Sequence, residues 1–363
     1  MTINTRYQRQ TILDEIGEAG QEKLLAASVL CIGAGGLGCP ALLYLAAAGI
    51  GHIGIADFDN VEESNLQRQT LYSTDQIGQN KARGAKHRLN ALNPEIKIET
   101  YEDGLSEHNA ETLFTKYDII IDGSDNFATK YLINDAAFKF QKPFIYAAIQ
   151  GFEGQVSVFD PREKDAPCYR CLYEQADKSG APTCAENGII GAVAGIIGSV
   201  QAMEAIKLII DGDSFKTLTS KLHCIDMRTM RSRTLSIPKK QNCPLCQSDP
   251  ATIQLPTNGV ECTMTDIEQI TPDHAMNMDG AYLIDVREQD EWDAGHIEGA
   301  QFMPLSALMQ NPAGAEIPAD KDIVLYCAKG RRSQHAAEIL SAQGHKNLKN
   351  MIGGYDLWLQ ECA

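Results

Sequence analysis

The chain has 363 residues, 44% hydrophobic and 22% charged, with a formal charge of −16. That length exceeds the usual single domain and predicts two. The acidic surplus covers both parts, with seven Lys and Arg against sixteen Asp and Glu from Cys262 onward, which argues against non-specific nucleic-acid binding.

The first seven residues, Met1 to Tyr7, lack the apolar core of a secretory signal, so a cytoplasmic location is expected. Eleven cysteines in such a chain point to thiol chemistry and metal ligation rather than a disulfide framework. From Ser28 to about Ile149, strand-like runs (29–32, 53–56, 96–100, 118–122) alternate with helical patterns (40–48 and a longer segment ending near Leu92). The alternation implies an α/β, Rossmann-like, doubly wound sheet, parallel in this stretch. Further strands are predicted at 144–149, 154–159 and 222–226, and the whole sheet is expected to be mixed.

An uncharged run from Gly188 to Met203, interrupted by four glycines and a glutamine, falls short of the roughly 20 residues a membrane span needs. It reads as a buried helix continuing to Ile210, and no membrane partner is expected. Pro250, Pro256, Asn258 and Gly259 mark an aperiodic stretch. The predicted organisation is therefore a domain over 1–248, a linker over 249–261 and a small α/β domain over 262–363.

After the first strand, Gly33, Gly35, Gly36 and Gly38 form a Gly-x-Gly-x-x-Gly turn leading into a helix, an arrangement that aims backbone N–H groups at phosphate oxygens. Asp57, 19 residues past Gly38 at the end of the next strand, stands where a carboxylate binds ribose hydroxyls. This much fits a nicotinamide or flavin enzyme equally well. The run Ser64 to Gln69, with Asn65 and Arg68, and then Lys81, supplies more positive charge than a diphosphate needs, and a triphosphate would use it. Beyond the strand at 119–121, Asp122 and Asp125, with Asn126 next to them, place carboxylates at the sheet edge, where a magnesium ion bridging phosphates would sit.

Cys168 and Cys171 form one Cys-x-x-Cys pair, and Cys243 and Cys246 a second. Four thiolates suit a closed structural zinc site with no catalytic role; redox dithiols are the alternative. Near the end, an apolar run delivers Cys327 into a loop of Ala328, Lys329, Gly330, Arg331, Arg332 and Ser333, followed by a helical stretch. Inward N–H groups and two arginines should favour the thiolate there. A phosphatase cradle needs an arginine six places after the cysteine, where Ser333 stands, so the loop is one residue short and sized for a persulfide sulfur. A docking module with Cys327 as bystander is the other alternative.

Residues 1 to about 250 resemble the MoeB and ThiF adenylyltransferases, bacterial relatives of ubiquitin-activating enzymes, through Arg6 to Gln10, the glycine turn, Asp57 to Asp59, Ser64 to Gln69, Lys81, Asp125-Asn126, both cysteine pairs and Gly198 to Lys207. Residues from about 262 resemble a rhodanese domain through Leu283 to Glu288, Gly295 to Ala300 and the Cys327 loop. The resemblance implies an enzyme using ATP, Mg2+ and structural Zn2+. Asp57 would hold ribose, Asn65, Arg68 and Lys81 phosphates, and Asp125 magnesium, while Arg9 would reach a neighbouring subunit's site in a homodimer. Cys184 matches the thiol that bonds the activated carrier in related enzymes. The implied partner is a small ubiquitin-like sulfur carrier ending in Gly-Gly, MoaD-like first and ThiS-like second, adenylylated and then given sulfur from a Cys327 persulfide loaded by a cysteine desulfurase or thiosulfate. Molybdenum cofactor synthesis is the expected pathway, with thiazole synthesis and tRNA thiolation as alternatives.

Overall fold

The computed structural model describes residues 5–174, 188–255, 267–278, 280–310, 317–318 and 321–362, and it divides into two compact units, 1–257 and 258–363. In the first, strands β1 (Ser28–Ile32), β2 (His52–Ala56), β3 (Lys97–Tyr101), β4 (Ile119–Asp122), β5 (Phe144–Gln150), β6 (Glu153–Phe159), β7 (Lys221–Asp226) and β8 (Arg231–Ser236) form one sheet. The order is β3-β2-β1-β4-β5-β6-β7-β8. The first five are parallel and the rest antiparallel, so the mixed sheet is present.

Val29, Leu30, Cys31, Ile53, Ile55, Ile119, Ile120 and Ile121 are all buried. Such continuous apolar strands are what a parallel sheet covered on both faces requires. One core cluster holds the helix Gly38–Ala48 and the inner side of Gly191–Ile210; the other holds Phe114, Tyr131, Tyr146, Phe159 and Tyr169. The expected helix is present as Gly191–Ile210, twenty residues long and carrying Glu204 and Lys207 beyond the uncharged run, and half of its most apolar window is buried inside the unit. Gly198 lets it close on helix Gly38–Ala48, since a Cβ there would come 2.3 Å from the Leu37 carbonyl oxygen.

Part of the expected linker is folded against the first unit. Asp249 caps the turn Pro250–Thr252, Ile253 is buried beside the cysteine pairs, and Lys139 donates to the Ile253 carbonyl at 2.5 Å. Turn residues told of a chain reversal, but the two apolar residues after them, Ile253 and Leu255, found a surface to cover.

The second unit is a parallel five-stranded sheet of β9 (Glu268–Ile270), β10 (Tyr282–Asp285), β11 (Gln301–Phe302), β12 (Ile323–Tyr326) and β13 (Leu348–Met351), in the order β11-β10-β12-β13-β9. Its central strand β12 is wholly buried, and helix Arg331–Ala342 packs through Ala336, Ala337 and Leu340.

Candidate functional sites

In the first unit, β1 ends at Ile32 and the chain turns at Gly33 with φ +89°. A Cβ on Gly38 would lie 2.0 Å from the Gly33 carbonyl oxygen, and one on Gly33 would lie 2.7 Å from that of Gly123. Only glycine fits either position. The helix Gly38–Ala48 starts at once, and Asp57, just past β2, is fastened to the turn: one carboxylate oxygen accepts from the Ala34 N–H at 2.7 Å and the other from the Asp59 N–H at 2.9 Å. Burial pushes the Asp57 pKa up, and those two N–H donors pull it back.

Around this turn the predicted cations are partnered rather than free. Lys81 is only 5% exposed and its Nζ lies 2.8 Å from Asp59. The Arg68 guanidinium donates to the Ser64 carbonyl at 3.0 Å, while its stem passes beside Gly36. Asn65 is buried with its amide on the Ser64 hydroxyl. Gln69 is buried next to Gly35, and its Oε1 has no hydrogen-bond partner among the described residues. The Tyr72 hydroxyl reaches the carbonyls of Ala34 and Lys81. Because β1 lies between β2 and β4, these groups collect at the carboxyl edge where the sheet changes winding direction, the usual ligand crevice of such folds.

Two carboxylates were expected past β4, and one is already committed. Asp122 is fully buried, bound to Lys130 Nζ at 2.9 Å and to the Ser124 hydroxyl at 2.6 Å. Its charge is spent inside the unit. Asp125 is exposed, and Asn126, also exposed, accepts from the Thr129 N–H to cap helix Phe127–Lys139. Arg9 is exposed on the short helix Gln8–Thr11. Cys184 lies outside the described residues, as does the side chain of Arg331.

The two Cys-x-x-Cys pairs come together although 75 positions separate Cys168 from Cys243. Their sulfurs lie 3.6 Å apart for Cys168–Cys243 and for Cys171–Cys246, 3.9 Å for Cys168–Cys171, and all within 4.8 Å. A tetrahedron with metal–sulfur bonds of about 2.3 Å has edges of about 3.8 Å, so the donor set fits a tetrahedral thiolate metal. Neighbouring sulfurs hold Cys171 and Cys246 below the usual thiol range and push Cys168 up. Four thiolates this close need a cation between them.

In the second unit, Cys327 follows β12 and is 2% exposed. The Gly330 N–H donates to its sulfur at 3.1 Å, with Gly330 at φ +88° turning the backbone inward. Carbonyls of the loop point the other way: those of Cys327 and Ala328 accept from the Tyr355 and Asp356 N–H groups of helix Gly354–Glu361. Gly354 makes this approach possible, because a Cβ there would lie 2.1 Å from the Cys327 oxygen. Arg332 is gripped in two parallel bonds by Glu291 at 2.6 and 2.7 Å, which raises the guanidinium pKa and lowers that of Glu291. The buried sulfur thus has the Gly330 N–H as a donor, with Arg332 and its partner Glu291 beside it.

Several contributors escaped the sequence. Lys130 is a lone lysine between apolar residues, Glu291 lies in a surface-like acidic run, and Asn350 is a buried polar residue within β13. A lysine in a stretch of mostly apolar residues was the available signal for Lys130; Asn350, next to Lys349, gave none.

A nucleotide crevice, a four-thiolate cluster and a separate cysteine loop define a two-part transferase. The description of the ThiF family matches residues 7–245 and that of the rhodanese-like domain residues 271–361, so the chain belongs to the ThiF family, with a rhodanese-like domain behind it. It is an adenylyltransferase and sulfurtransferase enzyme. It is 40% identical to the "Probable adenylyltransferase/sulfurtransferase MoeZ" of Mycobacterium tuberculosis, over 98% of this chain and 93% of that protein. It is 43% identical to the sulfur carrier protein adenylyltransferase of Thermus thermophilus, over 69% of this chain and 93% of the relative. Among solved structures it resembles E. coli MccB with ATP, at 25% identity and a TM-score of 0.57, covering 67% of this chain and 74% of that one.

Proposed function

We propose that the first unit adenylylates the C-terminal Gly-Gly carboxylate of a ubiquitin-like sulfur carrier and that Cys327 then supplies the sulfur. The observation that carries the reading is the gathering of Asp57, Arg68 and Lys81 around a glycine turn that only glycine can build. Attack of an ionised carboxylate on the α-phosphate of ATP releases pyrophosphate and needs no general base. Catalysis is then the work of positioning and of neutralising charge. Asp57 holds ribose, the turn and Asn65 cradle phosphate, and Arg68 and Lys81 exchange their protein partners for phosphate oxygens. Arg9 serves the site of a second copy, and Asn126 orders the segment carrying Asp125.

Asp125 would hold Mg2+, which would offset triphosphate charge. Cys168, Cys171, Cys243 and Cys246 hold Zn2+ as a structural tie. In the second unit a Cys327 persulfide, loaded by a cysteine desulfurase or from thiosulfate, attacks the acyl adenylate. The products are AMP and an acyl disulfide. Attack by a second thiol, for which Cys184 is our choice, frees the carrier thiocarboxylate and leaves a disulfide that an external thiol reduces.

A homodimer is supported by the exposed face of Gly191–Ile210, where Gly195, Ile196, Ser199 and Met203 lie alongside Tyr44. A reducing cytoplasm suits a chain whose described cysteines are all free thiols. We assign the chain to molybdenum cofactor synthesis with a MoaD-like carrier; a ThiS-like carrier in thiazole synthesis, or tRNA thiolation, is the competing assignment. For dissecting the two activities the division at 1–248, 249–261 and 262–363 is proposed with one amendment, that residues 249–255 stay with the first unit they pack against. ATP–pyrophosphate exchange should appear only with a Gly-Gly carrier and persist in Cys327→Ser, while that variant loses labelled sulfane transfer from thiosulfate. Exchange without carrier, or sulfur transfer without Cys327, overturns the reading.

A further inference from the structure

The Ser333 hydroxyl is fully buried between two neighbours, Asn350 Oδ1 at 2.7 Å and Cys327 Sγ at 3.5 Å. It has one proton to give. Which neighbour receives it is decided further along a chain of amides. The Ile267 carbonyl can only accept, and Gln269 Nε2 donates to it at 2.8 Å and to Gln334 at 2.7 Å. That turns the Gln269 oxygen toward Asn350, whose Nδ2 donates to it at 2.8 Å. The remaining Asn350 atom facing Ser333 is an oxygen, which can only accept.

We propose that Asn350, oriented by Gln269, is a positioning residue that keeps the Ser333 proton turned away from Cys327. This inference rests on the reading of Cys327 as the sulfur-accepting thiol. Ser333 then presents lone pairs to the sulfur and accepts from a Cys327 S–H, opposing ionisation while the Gly330 N–H and Arg332 favour it. In a persulfide the inner sulfur carries no proton and the charge sits on the terminal sulfur, one atom further from Ser333. The wiring therefore disfavours the bare thiolate relative to the loaded form.

Among the described residues, the charged groups on the elements packed against the Cys327 loop are Lys329 and Arg332 in the loop and its helix, Glu291 paired with Arg332, Arg287 paired with Asp285 of β10, and Asp356 in the last helix. All stay in place in the test. The rate of Cys327 carboxamidomethylation by iodoacetamide is followed against pH in the full chain, with the Cys327 peptide quantified by mass. Asn350→Ala and the exposed, edge-strand Gln269→Leu should each lower the midpoint by about half a pH unit, a roughly threefold faster reaction below it. In a Ser333→Ala background neither should have an effect. A midpoint unchanged or raised in both variants, or a shift surviving in Ser333→Ala, overturns the wiring. Should Asn350→Ala fail to fold, Gln269→Leu decides alone. Sulfur transfer persisting in Cys327→Ser overturns the reading of Cys327 instead, whatever the alkylation profile.

Discussion

Lys130 and Asp122 form a buried ion pair at 2.9 Å, the lysine also donating to the carbonyls of Ser124 at 2.9 Å and Ala147 at 3.0 Å. The pair ties helix Phe127–Lys139 to the end of β4 and the middle of β5, next to the segment that carries Asp125. Lys130→Met should destabilise the first unit by about 3–5 kcal/mol, since it leaves Asp122 charged and alone in the interior. Adding Asp122→Asn should recover a large part of that loss. Urea unfolding of the two variants checks this; equal stabilities would show that the pair is not coupled.

The nucleotide assignments predict a specific loss. Lys81→Ala and Arg68→Ala should each lower carrier-dependent ATP–pyrophosphate exchange by about 100- to 1,000-fold, the usual effect of removing one charge-stabilising donor. Asp59→Asn, which only frees Lys81 from its ion pair, should retain more activity than Lys81→Ala. Exchange kinetics for the three variants separate a phosphate ligand from a structural pair. Full activity in Lys81→Ala would count against the site.

Removing the metal should weaken the first unit selectively. Treatment with a strong chelator, or Cys243→Ser, should lower its melting temperature by several degrees, because the cluster joins residues 168–171 to residues 243–246. The second unit's unfolding should not move. Elemental analysis should find one zinc per chain, and a metal-free preparation with unchanged melting would exclude the tie.

Acid should act through Glu99 among other carboxylates. Lys116 and Lys97 bind it and the Tyr101 hydroxyl donates at 3.0 Å, holding its pKa at about 2 against 4.5 for the unpaired group. A depressed folded-state pKa gives stability that is complete above about 4.5 and disappears as pH falls toward 2. Glu99 is partly exposed, so the contribution at pH 7 should be about 1 kcal/mol or less. The stability difference between the native chain and Glu99→Gln should therefore shrink between those pH values. A difference independent of pH would mean the lysines do not hold the carboxylate.

The parallel half of the sheet was readable because β1, β2 and β4 are continuous apolar runs bounded by glycine and acidic residues. Strand β8 was missed because all six of its residues are exposed, which leaves no apolar alternation to read. It is held by its backbone ladder to β7. Short spacing disclosed the cysteine pairs, but nothing local shows that Cys168 faces Cys243. The same holds for Lys81 and Asp59, Asp122 and Lys130, and Glu291 and Arg332. Each is a partnership that only the folded sheet brings about, and each takes a charge that looked available in the sequence.

Strand β9 has a practical bearing on how the chain can be cut. The rhodanese-like match starts at residue 271, just after Ile270, whereas Glu268 to Ile270 pair with Lys349 to Met351. A fragment trimmed to the matched boundary discards the strand that shields one flank of β13, together with the amide that orients Asn350. Such a fragment should show an altered thiol for reasons of trimming alone, so excision of this unit belongs upstream of Ile267.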